Sequence, residues 1–394
     1  MPGPLDGFRV IDLSTVISGP FASMLLADQG ADVIKVEPVD SGDHVRGTGY
    51  ATGELTAAFL NNNRNKRGIA LNLKSEGGKS ALFRLCKNAD VLLQNFRPGV
   101  VERLGIGEDD VRKHAPSIIY ASISGFGEKG PWSHKPVYDP IVQAISGLTT
   151  IQAGSDEARP RLVRTILPDK LTGMTMAQAI TAALAARGKT GNGQHVRVSM
   201  LDAVVAFLWA SDMGGQTFVG KEVSIQRAAT VIDLIYETVD GYISVSAMAN
   251  KQWQALCHAT GHPEWLDDER FKTPSLRDQN ANARLELTQS VLVTKTTAEW
   301  LEILDEAGVP CAPVLNRREM IEHPQVQASG IVIESNHPHA GRLRQTRVAA
   351  RFDQTPAEHR LGAPLHGEHT DSLLEDAGFS LDEIKRLREA GDIK

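Results

Sequence analysis

Short apolar runs alternate with longer amphipathic stretches through the first 200 positions. Residues 8–13 (Phe-Arg-Val-Ile-Asp-Leu) and 32–37 (Asp-Val-Ile-Lys-Val-Glu) have the length and β-branched content of strands. Between them, residues 19–30 predict a helix, with Pro20 in its first turn and Gly30 closing it. Segments 68–73, 90–94 and 117–122 predict further strands, and 76–88 predicts a helix between two of them. Strands separated by helices imply βαβ units and a mostly parallel sheet. This lobe is expected to occupy residues 1–205.

Two long helical patterns follow, near 170–187 and 201–216, and then the texture changes. Residues 234–238 and 242–245 flank Asp240-Gly241, a hairpin signal in which the dipeptide supplies the positive φ of a tight turn. Helical segments follow near 250–261, 280–293 and 297–307. The pattern therefore predicts an α/β protein with a connector at 206–227, a smaller α+β lobe at 228–320, and a Pro- and His-rich tail at 321–394 that returns to the large lobe and ends in a helix at 381–390.

The whole chain has 394 residues, 41% of them hydrophobic and 23% charged, with a net charge of −6. That balance is globular, and the acidic excess argues against non-specific binding to nucleic acid or an anionic membrane. Cys86, Cys257 and Cys311 are odd in number and far apart, which argues against a disulfide framework or a structural zinc site. A reduced, cytoplasmic location is the default expectation. No apolar run reaches membrane-spanning length, and Asp6 and Asp12 at the start do not read as a signal peptide.

The opening strand-helix-strand resembles a dinucleotide fold, with Glu37 where a ribose-binding acid would stand. Residues 14–20 (Ser-Thr-Val-Ile-Ser-Gly-Pro) are not GxGxxG, so a hydride-transfer reading loses its phosphate loop. Gly188-Lys189-Thr190 fails as a P-loop, because a helix precedes it and Ala183 stands where the first glycine belongs; a helix cap at Gly188 is the simpler reading. No serine sits in GxSxG, and HExxH is absent. The pairs His258/His262 and His366/His369 read as solvated or hydrogen-bonded histidines, so no metal site is expected.

Two features remain. Residues 61–74 carry Arg64, Lys66, Arg67 and Lys74 with no acid, and Arg97, Arg103 and Lys135 follow. In an acidic chain such a run suits a phosphate-bearing ligand, and equally a solvated surface loop. Asp169 follows Pro168 at the start of a predicted helix. It reads as an N-cap, or as a carboxylate kept ionised by the helix N-terminus and available as a covalent nucleophile.

An ordered series of short motifs then spans nearly the whole chain. It begins with residues 7–13 (GFRVIDL), Ser18-Gly19-Pro20, 30–38 (GADVIKVEP) and Gly42-Asp43. It continues through 63–67 (NRNKR), 71–74 (LNLK), 95–99 (NFRPG), 124–127 (SGFG), Gly130-Pro131 and Tyr138-Asp139. Residues 190–194 (TGNGQ), 200–203 (MLDA), 310–314 (PCAPV) and 367–370 (GEHT) complete it. Together they resemble the class III CoA-transferases, the L-carnitine dehydratase and bile-acid-inducible protein F family. That family includes formyl-CoA transferase, carnitine CoA-transferase and α-methylacyl-CoA racemase.

The resemblance implies a Rossmann-like large domain from both chain ends, a small domain between, and ring-shaped protomers interlocked as a homodimer. It implies acyl-CoA and a carboxylic acid as substrates, no tightly bound cofactor, and Asp169 as the catalytic aspartate. It places Val16, Ile17, Leu71, Asn72, Asn95, Phe96 and Met200 along the CoA site, with Tyr138 and Asp139 beside it. The phosphates would fall to Lys74, Arg97, Arg103 and Lys135. Pro38 stands where some relatives have an arginine near the nucleotide, so that contact is absent. The racemase branch has a His directly before the Asp where Tyr138 stands here, and His134 is four residues away, which favours transferase over racemase. A CoA-binding dimer without catalysis is a third reading. The glycine run of the formyl-CoA branch is missing between 214 and 280. Ser18, Arg46 and Arg164 are the candidate acceptor contacts, which leans toward succinyl-CoA and a short dicarboxylic acid.

Overall fold

The computed structural model describes residues 2–154, 156–222, 233–247 and 249–394. Residues 223–232, which fall in the predicted connector and the start of the predicted small lobe, lie outside the described residues.

Six parallel strands form the main sheet: β1 (Arg9–Asp12), β2 (Asp32–Glu37), β3 (Lys66–Ala70), β4 (Val91–Gln94), β5 (Ile119–Ser124) and β6 (His195–Ser199). Their spatial order is β3-β2-β1-β4-β5-β6, with every adjacent pair parallel. Strand alternation divides the core between the two faces. Ile11, Ile34, Ile69, Leu92 and Tyr120 face one layer, built from α2 (Glu76–Lys87), α3 (Glu108–His114) and the C-terminal helices Thr370–Asp376 and Leu381–Glu389. Val10, Val33, Val91, Ile119 and Ala121 face the other, where α1 (Ser18–Asp28) and α5 (Leu167–Thr190) pack. A further helix, α4 (Asp139–Ile145), precedes α5 in the chain.

The chain divides into two compact units, 1–149 with 162–213 and 329–394, and 150–161 with 214–328. The second holds a three-stranded antiparallel sheet of Ile235–Glu237, Tyr242–Val245 and Cys311–Pro313. Its core gathers Trp253, Phe271, Leu292 and Trp300, and the Trp300 indole donates to the Leu292 carbonyl at 2.7 Å.

Several expectations need correction. Strand β6 was not foreseen, because His195 and Arg197 break its apolar run while Val196 and Val198 still pack on the core. The antiparallel pair Val332–His337 and Gly341–Thr346 lies in what reads as a connector. Helix α5 ends at Thr190 with Gly191 in the left-handed conformation, so Gly188 is not its cap. The turn at Asp240-Gly241 uses no positive φ. Instead the Gly241 N–H donates to Thr238 Oγ1 at 3.1 Å, and the Asp240 carboxylate caps the helix Thr297–Glu306 by accepting from the Thr297 N–H at 2.8 Å.

Candidate active site

Strand order reverses between β1 and β4, and the crevice beyond the carboxyl ends of such a pair is where doubly wound sheets bind ligands. The Asn95 side chain clasps the loop after β1 there, accepting from the Thr15 N–H at 2.9 Å and donating to the Thr15 carbonyl at 2.7 Å. Val16 then adopts φ +71°, a left-handed conformation that strains a β-branched residue. Asp43 helps hold it there: its Oδ1 accepts from the Val16 N–H at 3.1 Å, while Lys35 spans from Asp43 Oδ2 (2.8 Å) to the Ser14 carbonyl (2.9 Å). The strapped loop delivers Ser18 as the first residue of α1.

Asp169 meets Ser18 because α1 and α5 cross closely. A Cβ on Gly173, one turn after Asp169, would lie 2.7 Å from the Ser18 carbonyl oxygen, so only glycine permits the approach. The Ser18 side chain and backbone face the Asp169 carboxylate and favour its charged form. Its own N–H donates to Asp139 Oδ2 at 3.3 Å. Asp139 opens α4 and is buried, and its Oδ1 accepts from Gln143 Nε2 at 2.6 Å. Gln143 Oε1 in turn accepts from the Val163 N–H at 2.9 Å, tying the segment before Asp169 to the same carboxylate. Gln143 carries no sequence motif, so only the fold reveals it.

Asp169 is the third residue of α5 rather than its N-cap; Ile166 occupies the cap without a side-chain bond. Burial, and then the neighbouring Asp139 charge, push the Asp169 carboxyl up to about 6, overriding Ser18. Burial likewise raises Asp139. The helix N-terminus therefore does not hold Asp169 at its ordinary acidity, although the carboxylate still ionises below neutral pH. At pH 7 it is still mostly anionic, and it is a better nucleophile for being a weaker acid.

The cations of the sequence run separate sharply. Lys66 bonds Asp12 at 3.0 Å with both side chains fully buried, Arg64 pairs with Asp28 at 2.6 Å, and Arg67 bridges Asp32 and Asp376. These three hold the fold and present nothing to a phosphate. Arg46 forms a bidentate pair with Glu37 at 2.7 Å, donates to the Pro364 carbonyl at 3.0 Å and stacks 3.7 Å over Phe59. It is not a free acceptor contact, and Glu37 is not a ribose ligand. Lys74, Arg97, Arg103 and Arg164 are exposed and form no ion pair with the described residues, and Lys135 lies 3.5 Å over the Trp132 ring. Leu71 and Met200 are buried, and Leu71 belongs to the core under the sheet. Asn72 Oδ1 accepts from the Lys74 N–H at 3.2 Å. Ile17 and Phe96 are partly buried beside the crevice loops, and Tyr138 is exposed at the start of α4. Among the described residues, no group of three or more His, Cys, Asp or Glu is placed to hold a metal ion, and no helix is long and apolar enough to cross a membrane.

The chain as a whole matches known proteins in sequence and fold. The family model described as CoA-transferase family III matches residues 5–370. A succinyl-CoA:glutarate CoA-transferase of Mus musculus is 34% identical over 380 residues, 95% of this chain and 86% of that one. An acetyl-CoA:oxalate CoA-transferase of Acetobacter aceti is 37% identical, covering 84% and 86%. The crystal structure of a CAIB/BAIF family protein from Brucella suis superposes with a TM-score of 0.83 at 28% identity, covering 96% of this chain and all of that one. The chain belongs to CoA-transferase family III. It is an acyl-CoA:carboxylate CoA-transferase.

Proposed function

We propose that CoA transfer runs through covalent intermediates on Asp169. The observation that carries this is the Asp169 carboxylate itself, facing Ser18 near the switch point with its acidity weakened by burial and Asp139. Asp169 attacks the donor thioester carbonyl and CoA thiolate leaves, forming a mixed anhydride. The thiolate attacks the Asp169 acyl carbon, releasing the donor acid and leaving an aspartyl-CoA thioester. The acceptor carboxylate displaces CoA thiolate from that carbon. The thiolate then attacks the acceptor's acyl carbon, giving the new acyl-CoA and free Asp169. Each nucleophile is already an anion, so no general base is needed. Ser18, which faces the carboxylate, is placed to stabilise the oxyanions formed on it.

The CoA chain lies along Val16, Ile17, Asn95 and Phe96, with Asn95 shaping the loop rather than bonding the ligand. Lys74, Arg97, Arg103 and Lys135 take the phosphates, and their lack of competing carboxylates supports this. Arg164 lies five residues before Asp169 and holds no carboxylate among the described residues, which suits one end of a short dicarboxylic acid. The mouse relative, named for succinyl-CoA and glutarate, supports succinyl-CoA as donor. The working form is an interlocked homodimer in the cytoplasm, with the small domain at 228–320.

The test is mass spectrometry after incubation with succinyl-CoA and a pool of short dicarboxylic acids. A new CoA ester is expected from the natural enzyme and none from Asp169→Ala. Undiminished ester from Asp169→Ala would sink the aspartyl route. Deuterium exchange at the α-carbon of a branched acyl-CoA, with no ester formed, would place the protein with the racemases instead.

A further inference from the structure

A second constellation, whose hydrogen bonds do not involve Asp169, lies wholly within the first unit. The Ser122 hydroxyl lies 2.7 Å from His195 Nε2, and His195 Nδ1 lies 2.5 Å from Glu108 Oε2. Ser122 comes from the inward face of β5, His195 from the start of β6, and Glu108 from the first turn of α3. All three line a cavity of about 1000 Å³, with Phe96 and Phe126 on its walls.

The protonation pattern follows from the partners. Burial works against the Glu108 charge, but hydrogen bonds from Arg112 and His195 hold its carboxyl below the usual range. An ionised carboxylate only accepts, so Nδ1 carries the imidazole proton and Nε2 is left to accept from Ser122. Burial, and to a lesser degree Arg197, keep His195 below its ordinary value, hence neutral. The Tyr120 ring packs edge-on against the imidazole at 5.0 Å and fixes its plane. A fourth group completes the set. Gln94 Oε1 accepts from the Phe96 N–H at 2.7 Å, which fixes the amide orientation and turns Nε2 to Ser122 Oγ at 2.9 Å. That amide is placed to donate to an oxyanion formed on an adduct of Ser122.

We propose that Ser122, His195 and Glu108 form a second, hydrolytic site, with Gln94 as its oxyanion donor, acting on carboxylic esters or thioesters. Ser122 Oγ bonds to the acyl carbon as His195 Nε2 takes its proton. The alcohol or thiol leaves with that proton, giving an acyl-serine. Water attacks the acyl carbon, His195 removes its proton and returns one to Oγ, and the carboxylic acid departs. The sum is ester plus water to acid plus alcohol or thiol, with no further reactant. Ser122 lies in a strand rather than a sharp elbow and is 8% exposed, so compact acyl groups should be preferred.

The test uses the full-length protein and a fluorophosphonate probe, with the labelled residue mapped by peptide mass spectrometry. Asp169→Ala protein is included to keep the first site out of the readout. Labelling of Ser122 is expected in natural and Asp169→Ala protein alike. It should fall at least ~100-fold in His195→Gln, which can still hydrogen-bond but is a poor base. p-Nitrophenyl acetate hydrolysis by Asp169→Ala protein should show the same dependence, and Ser122→Ala should keep succinyl-CoA-dependent transfer intact. No adduct on Ser122 in the natural protein overturns the proposal, as does equal labelling in His195→Gln. Because natural protein gives the decisive reading, misfolding of a variant cannot mask the answer.

Discussion

Two groups of cations sit close together in the sequence and serve opposite ends. Lys35, Lys66, Arg64 and Arg46 lie beneath the crevice, each against a buried carboxylate: Asp43, Asp12, Asp28 and Glu37. Lys74, Arg97, Arg103 and Arg164 stand in solvent with no carboxylate partner among the described residues. What divides them is the acids that the strands bring in. Asp12 ends β1 and Glu37 ends β2, so the sheet itself delivers the counter-charges, while the later cations fall on loops and exposed helix faces. An acid-free stretch of sequence is therefore not an acid-free surface. Charge left unpaired after folding is the better guide to where a polyanion binds.

The comparison breaks most sharply at Asp12. Its carboxylate accepts from Lys66 Nζ (3.0 Å) and Ser23 Oγ (2.6 Å) and also holds Ser14. Although burial opposes it, Lys66 and Lys35 bring its carboxyl down to about 2. A folded value below the unfolded one contributes stability above pH 4 that is lost as pH falls toward 2. Asp12→Ala leaves the buried Lys66 ammonium without its carboxylate, while Lys35 keeps Asp43. Removing one partner of such a pair costs about 3–5 kcal/mol, so urea unfolding should show a loss of that order at pH 7. A loss under about 1 kcal/mol would mean the network is hydrated rather than sealed.

Asp169 shows the reverse sign. Its folded value of about 6 lies above the ordinary 3.8, so ionisation opposes folding. Stability falls as pH rises from about 4 to 6 and stays reduced above. Two pKa units correspond to about 3 kcal/mol. Asp169→Asn keeps an acceptor for Ser18 without the charge, so its melting temperature at pH 7 should rise by several degrees while transfer is lost. Equal melting temperatures would show that water or a counter-ion relieves the carboxylate in solution.

The exposed cations should behave differently again. Arg97→Ala or Arg103→Ala should raise the KM for acyl-CoA by about tenfold, ~1.4 kcal/mol of binding, at unchanged melting temperature. A stability loss with unchanged KM would move these residues into the structural group.

How much of this was legible beforehand follows the same division. The strand at 32–37 and the helices at 76–88 and 280–293 announce themselves in the pattern of apolar and polar residues, and Asp169 is proposed from its place among the motifs of a family. The partners were hidden. That Arg46 faces Glu37, or that Gln143 steadies Asp139, depends on contacts across the fold that no local pattern encodes. Strand β6 escaped notice for a related reason: its polar face lines a cavity, so its alternation looks like a loop. The strain at Val16 was equally invisible, since a β-branched residue is the last one expected at positive φ.

The smallest expected effect isolates the pair at the centre of the site. Asp139 raises Asp169 through a like charge, second only to burial, and accepts its N–H. Asp139→Asn removes the charge but keeps an oxygen for that N–H. The acid limit of kcat/KM, expected near pH 6 in the natural enzyme, should move to lower pH, because Asp169 then ionises more readily. The plateau rate should fall modestly, since a stronger acid is a weaker nucleophile. Gln143→Glu serves as the opposing variant. It adds a carboxylate beside Asp139 and should push the limit upward through repulsion. A limit that stays in place in Asp139→Asn while Gln143→Glu raises it would mean that Asp139 is already protonated at rest. Burial would then be the whole cause of the Asp169 shift, and the two carboxylates would share one proton rather than repel as anions.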